Sequence, residues 1–178
     1  MSKEHMKVIF LDRDGVINEE TGYTHKIKDF RFIDGIFDSL NILKKLGYKF
    51  IIVSNQSGIS REMYTLSEFN ILNEWMLKMF SLNGINITDV FICPHGPDDN
   101  CECRKPKAGL FYMAFQKYDI NLDSSWMVGD SERDIKAANT AGIIHTILVR
   151  SGHEINENTT KAKFIIDSVK NLNLVITS

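Results

Sequence analysis

The sequence predicts an α/β fold built as a doubly wound, Rossmann-like parallel sheet. Short, wholly apolar runs alternate along the chain with segments whose apolar residues recur at helical spacing, which is the pattern of βαβ units. Acid- and glycine-rich turns directly follow several of the apolar runs, where folds of this class place their ligands. The length, 178 residues, is that of one globular unit able to bury a core without disulfide staples. We expect one domain over residues 1–178.

Val8-Ile9-Phe10-Leu11 has no polar residue to turn toward water and reads as a strand covered on both faces. Ile36, Leu40 and Leu43 then mark a helix stripe, and Gly47 stands where a left-handed helix end needs it. Phe50–Val53 is the second strand. Thr65-Leu66-Ser67-Glu68 has capping-box form and opens a helix carrying Phe69, Leu72, Met76, Met79 and Phe80. Val90–Ile92 is the third strand, and Leu110, Met113, Ala114 and Phe115 suggest the next buried helix face. Trp126–Val128 forms a fourth strand, followed by a helix with Ile135, Ala138 and Ala141 that ends at Gly142. His145–Val149 and Phe164–Ile166 are the last strands, with Val169 and Leu172 on a final helix.

Composition excludes several classes of function. Twenty-one Lys and Arg against 23 Asp and Glu leave a net charge of −2, with no basic block of the kind that neutralises nucleic-acid phosphates. No apolar run reaches the ~20 residues of a membrane span, and the first seven residues lack a secretory leader, so the expected location is the cytoplasm. No nucleic-acid or membrane partner is expected.

Four segments carry chemistry. Asp12-Arg13-Asp14-Gly15 puts two carboxylates at the end of the first strand, and Gly129-Asp130-Ser131-Glu132-Arg133-Asp134 puts two more after the fourth. Taken alone, D-x-D is a common solvated turn, and Asp130 reads equally well as a helix N-cap. Ser54-Asn55-Gln56-Ser57-Gly58 offers a hydroxyl, amides and main-chain donors to phosphate oxygens. Arg104-Lys105-Pro106-Lys107 reads as a solvated loop, except that Pro106 restricts Lys105 to an extended conformation and can aim its ammonium. In this topology all four converge. Carboxylates gathered without a balancing base require a hard cation, for which Mg²⁺ is suited.

Cys93, His95, Cys101 and Cys103 supply three thiolates and an imidazole within a loop spanning 93–103, a complete tetrahedral set for Zn²⁺. A closed set leaves no position for water, so this zinc is expected to be structural. Arg104 and Lys105 follow Cys103 directly, so ordering the loop would aim both cations.

The order Asp12-x-Asp14-Gly15, Ser54, Lys105, Gly129-Asp130-x-x-x-Asp134 resembles the haloacid dehalogenase (HAD)-type phosphatase superfamily. Gly22-Tyr23, Phe32-Ile33-Asp34-Gly35, Ser54–Ile59, Cys93-Pro94-His95, Cys101-x-Cys103-Arg104-Lys105-Pro106, Val128-Gly129-Asp130 and Val149-Arg150-x-Gly152 resemble its heptose-bisphosphate phosphatase branch. The resemblance implies a small sugar bisphosphate as substrate and hydrolysis of its 7-phosphate to leave the 1-phosphate. It assigns Asp12 as nucleophile and Asp14 as general acid/base. Mg²⁺ would be held by Asp12, Asp14 (through its main-chain carbonyl) and Asp130, with Ser54 and Lys105 stabilising the transferring phosphoryl group and Asp134 acting as an orienter. Substrate contacts are expected from Glu20, Thr21, Gly22, Tyr23, Ser54, Asn55, Gln56, Ser57, Arg104 and Lys105. The intervals between these motifs are too short for a separate cap domain, and the chain is expected to act as a monomer. The resemblance breaks at Ser131, where many relatives carry lysine. A histidinol-phosphate phosphatase shares the acids and the zinc loop and is the nearest alternative. A phospho-accepting receiver or a non-catalytic zinc module would leave one or the other of those features unexplained.

Overall fold

The computed structural model describes residues 5–177; the first four residues of the expected leaderless N-terminus lie outside them. Six strands form one parallel sheet in the order β3-β2-β1-β4-β5-β6. They are β1 (Val8–Leu11), β2 (Lys49–Asn55), β3 (Ile87–Cys93), β4 (Trp126–Gly129), β5 (His145–Val149) and β6 (Phe164–Ile166). The connecting helices are α1 (Ile36–Lys45), α2 (Leu66–Leu82), α3 (Gly109–Lys117) and α4 (Glu132–Thr140).

Burial of both sheet faces explains the unbroken apolar runs. In β1, Ile9 and Leu11 enter one core with residues of α1 and α2. Val8 and Phe10 enter the other, with α3 and α4. The Phe10 and Phe111 rings meet there at 5.1 Å. The β3 strand is longer than the sequence suggests and only half buried, as expected of an edge.

The end signals behave as their chemistry dictates. The α1 helix closes in a Schellman arrangement, with Gly47 at φ +88°, its N–H on Lys44 O and the Tyr48 N–H on Leu43 O. The α2 helix opens with the Thr65–Glu68 capping box. Two expectations are corrected. Met113 is exposed, because α3 turns Leu110, Phe111 and Ala114 inward and Met113 falls outside that stripe. The last helix is a 3₁₀ segment, Val169–Leu174, whose three-residue period puts Val169 and Leu172 on one side.

The chain runs outward from β1 to β3 and then crosses to the other side of β1 to lay down β4. Register pairs Leu11 with both Ile52 and Val128. The crevice at this switch point lies beyond the carboxyl ends of β1 and β4, where Asp12 and Asp130 follow. Among the described residues no separate cap domain covers it. The long loops, residues 12–35 and 94–108, form its walls.

Candidate active site

Asp12 leaves β1 with its N–H on Val128 O at 3.0 Å, which fixes it beside β4. Its Oδ1 accepts from the Arg13 N–H at 2.8 Å and from Lys105 Nζ at 3.1 Å. Lys105 is only 1% exposed and has three acceptors for its three protons: Asp12 Oδ1, Asp134 Oδ1 at 2.7 Å and Val53 O at 2.8 Å. Burial opposes its charge, but Asp12 and Asp134 outweigh burial and hold its pKa above the ordinary lysine value. Its Lys105–Pro106 bond is cis. Asn55, expected to touch substrate, also clamps the Lys105 main chain, with Nδ2 donating to Lys105 O and Oδ1 accepting from Lys105 N–H, both at 3.0 Å.

Asp14 is gripped on both oxygens. Arg13, itself 2% exposed, donates from Nε and Nη2 at 3.1 and 2.9 Å. Asn18 Nδ2 donates at 3.0 Å and Gln56 Nε2 at 3.1 Å. The Gln56 amide is fixed in turn, because Tyr64 OH donates to its Oε1 at 2.6 Å. Burial raises the Tyr64 pKa to about 12, so the phenol keeps the proton it donates. Gln56 Nε2 also donates to Ser54 Oγ at 2.8 Å, which leaves the Ser54 proton for another acceptor.

Asp130 is 1% exposed and lies between two glycines. A Cβ at Gly15, where φ is +83°, would fall 2.2 Å from Asp130 Oδ2, and one at Gly152 would fall 2.0 Å away, so only glycine permits this approach. Asp130 does not cap α4; Ser131 occupies that position, because Asp134 Oδ2 accepts from the Asp130 and Ser131 N–H groups at 3.1 and 3.2 Å and draws the turn around itself. Both Asp134 oxygens are thereby engaged, which suits an orienter.

Carboxylate oxygens of Asp12, Asp130 and Asp134 lie within 4.8 Å of one another. Burial first, then the Asp134 charge, pushes the Asp12 and Asp130 carboxyls above the usual carboxylate range. Lys105 alone does not offset this crowding. The donor set is all oxygen and hard, which fits Mg²⁺.

Cys93, His95, Cys101 and Cys103 form a second group. Cys93 Sγ lies 3.6 Å from Cys101 Sγ, and His95 Nδ1 lies 3.5 and 3.2 Å from Cys93 and Cys103 Sγ. Ligands around a tetrahedral ion with bonds of ~2.0–2.3 Å stand roughly 3.5–3.8 Å apart, which the Cys93–Cys101 and Cys93–His95 separations match. Cys103 Sγ lies closer, 2.8 Å from Cys93 Sγ, so it is the donor set, three thiols and an imidazole gathered at one point, that is compatible with zinc. All three cysteines are free. Burial and the Cys103 contact push the Cys93 thiol upward, so the thiolate needs a cation beside it. Arg104 Nη1 donates to His95 O at 3.1 Å, tying the guanidinium to this loop.

A cavity of about 390 Å³ opens above the acids. Of the residues expected at the site, Asp12, Asp14, Glu20, Gly22, Tyr23, Asn55, Gln56, Ser57, Arg104 and Lys105 line it. Ser54 and Asp130 are buried beneath, and Thr21 turns aside to pair with Thr24 Oγ1 at 2.9 Å. The sequence reading missed Arg61, Tyr64, Arg133 and His153, which also line the cavity. Arg61 lies over the Tyr23 ring at 5.8 Å. The floor is therefore acidic and the rim carries Arg61, Arg104 and Arg133, an arrangement for a cation beneath and an extended anion above. No described helix is long and apolar enough to cross a membrane.

A HAD-hydrolase-like family model matches residues 102–172. The chain is 41% identical over 169 residues to the D-glycero-alpha-D-manno-heptose-1,7-bisphosphate 7-phosphatase of Photorhabdus laumondii, covering 91% of this chain and 92% of that one. It is 40% identical over 172 residues to the D-glycero-beta-D-manno-heptose-1,7-bisphosphate 7-phosphatase of Vibrio cholerae, with 92% of each chain covered. Its fold is similar to the crystal structure of the D,D-heptose 1,7-bisphosphate phosphatase of B. bronchiseptica complexed with magnesium and phosphate. The TM-score is 0.81 and the identity 31%, over 94% of this chain and 96% of that one.

Proposed function

The chain belongs to the heptose-1,7-bisphosphate 7-phosphatases of the HAD-like hydrolases, and on that footing we propose that it hydrolyses the 7-phosphate of D-glycero-D-manno-heptose 1,7-bisphosphate. The product is heptose 1-phosphate, an intermediate for nucleotide-activated heptose, made in the cytoplasm. The observation that carries this reading is the acidic floor with one buried lysine, set beneath a rim of three arginines. A phosphoryl group reacts at the floor while a second phosphate stays on the rim.

Asp12 Oδ1 is held by Lys105 and the Arg13 N–H, which leaves Oδ2 as the attacking atom. Attack forms the Asp12 O–P bond and breaks the bond to the sugar oxygen, which takes its proton from Asp14. Asp14 then removes a proton from the water that cleaves the aspartyl-phosphate, so one displacement becomes two easier ones. Lys105 and the free Ser54 proton stabilise charge on the transferring oxygens. Mg²⁺, held by Asp12, the Asp14 main-chain carbonyl and Asp130, supplies the charge neutralisation that lets a carboxylate approach a phosphate. Asp134 positions Lys105 and the turn that carries Asp130. Zn²⁺ on Cys93, His95, Cys101 and Cys103 holds the loop that aims Arg104 and Lys105, with Arg104 facing the retained 1-phosphate. Glu20, Gly22, Tyr23 and Ser57 line the sugar pocket.

The test is phosphate release from both anomers of the bisphosphate and from histidinol phosphate, with and without Mg²⁺. We expect Mg²⁺-dependent turnover of a heptose bisphosphate with release of one phosphate. Faster turnover of histidinol phosphate would overturn the substrate, and Mg²⁺-independent turnover would overturn the cation site.

A further inference from the structure

His153 lies in the loop after β5, 46% exposed and directly after the last of the short motifs, Val149-Arg150-x-Gly152. Its ring Nδ1 lies 2.6 Å from Asp130 Oδ2, and its main-chain N–H donates to the same oxygen at 3.0 Å. A carboxylate only accepts, so Nδ1–H is the donor. Gly15 and Gly152 close against that oxygen from two sides. Among the described residues, Oδ1 of Asp130 accepts no hydrogen bond.

We propose that His153 is a positioning residue that enforces one-oxygen binding of the cation by Asp130 and thereby favours Mg²⁺ over Ca²⁺. The inference rests on the assignment of Asp130 to the cation. With Oδ2 engaged by the ring and the main chain, Asp130 offers Oδ1 alone. Mg²⁺ takes near-octahedral sites with oxygens at about 2.0–2.1 Å, for which a single carboxylate oxygen suffices. Ca²⁺ binds at about 2.3–2.6 Å with more ligands, and it gains most from carboxylates that chelate through both oxygens. A group that withholds the second oxygen therefore costs Ca²⁺ more than Mg²⁺. The ring also fixes the carboxylate plane, the task that partners of metal ligands perform generally. Neither role requires the histidine to change its charge.

Calorimetric titration of Mg²⁺-free, zinc-loaded protein with Mg²⁺ and with Ca²⁺ separates the outcomes. His153→Ala should weaken Mg²⁺ binding by roughly tenfold, the lower end for loss of a ligand's hydrogen-bond partner. Ca²⁺ affinity should hold or rise, so the Mg²⁺/Ca²⁺ preference falls. His153→Gln, whose side-chain amide donates to the same oxygen, should restore most of that preference. A purely structural role would instead lower the melting midpoint and leave the ratio of affinities unchanged. An unchanged ratio in His153→Ala overturns the proposal. If Asp130→Asn leaves Mg²⁺ affinity at the wild-type value, the assignment of Asp130 fails, and the inference fails with it.

Discussion

Lys105→Met tests the electrostatic design of the floor. Methionine keeps the length and most of the volume of the lysine stem, so packing survives while the charge goes. The lysine is almost wholly buried and joins Asp12 at 3.1 Å to Asp134 at 2.7 Å, with the third proton on Val53 O. Removing one partner of a buried ion pair leaves the other charges uncompensated and costs about 3–5 kcal/mol. At roughly 2–4 °C per kcal/mol for a chain of this size, the metal-free variant should melt on the order of 10 °C lower at pH 7. The sign of the pH dependence follows from Asp12. Burial and Asp134 already raise its pKa, and losing the lysine raises it further. The deficit is therefore largest where Asp12 is ionised and shrinks as pH falls through its folded-state pKa and the carboxyl takes up a proton. Urea unfolding of both proteins in Mg²⁺-free buffer, at pH 7 and again near pH 4.5, measures it directly. Phosphate release should fall by about 10²–10³, as for loss of one preorganised donor. If Lys105→Met is as stable as wild type at pH 7, or its deficit does not shrink in acid, the reasoning fails.

Asp12→Asn should abolish phosphate release without lowering the melting midpoint, since it removes one of the crowded charges; turnover near the wild-type rate in protein shown by mass to be free of deamidation refutes the nucleophile. Cys101→Ala should take bound zinc from about one per chain to none, and raise KM more than it lowers kcat, because Arg104 and Lys105 lose their anchor; elemental analysis with steady-state kinetics checks both. Asp12 and Asp130 carry raised pKa values in the folded state, so metal-free stability should decline as pH rises through them. Mg²⁺ at a hundred times its Kd should then add about 2.7 kcal/mol at pH 7 and distinctly less near pH 4.5, and a Mg²⁺-induced melting shift independent of pH would contradict this. Thr65→Ala, which removes the capping box of α2, should cost ~1 kcal/mol in urea unfolding without changing kcat.

The order of strands and helices was legible in the sequence because the central strands β1, β2, β4 and β5 are buried on both faces and so carry apolar runs, whereas the half-buried edge strand β3 was legible only in part. Helix ends were legible where one residue type has a special conformational role, as Gly47 and Thr65 show. The carboxylates and the Cys/His set could be found because their spacing is local. What escaped was long-range. His153 is 23 residues from Asp130, sits in a polar loop with no periodicity, and follows directly after Gly152, the last residue of the recognisable segment. Tyr64 reads as a core aromatic, and only the fold shows that its hydroxyl reaches Gln56. Arg61 and Arg133 resemble any exposed arginine until the loops bring them to one cavity. Lys105 was the instructive case: three cations around a proline suggest solvent, yet the lysine is among the most deeply buried side chains of the protein.

The position of β4 beside β1 has a bearing on biosynthesis. Asp12 leaves the ribosome before the residues that surround it, and β1, β2 and β3 can pair as soon as residue 93 is free. The neighbour on the other flank of β1 begins only at Trp126, and the loop bearing His153 comes later still. A nascent chain halted before that point would display an acidic turn and an unpaired strand edge, open to aggregation, with nothing to complete the catalytic centre. The catalytic centre is therefore complete only once the segment from Trp126 onward, which supplies β4, Asp130 and the loop bearing His153, has been made.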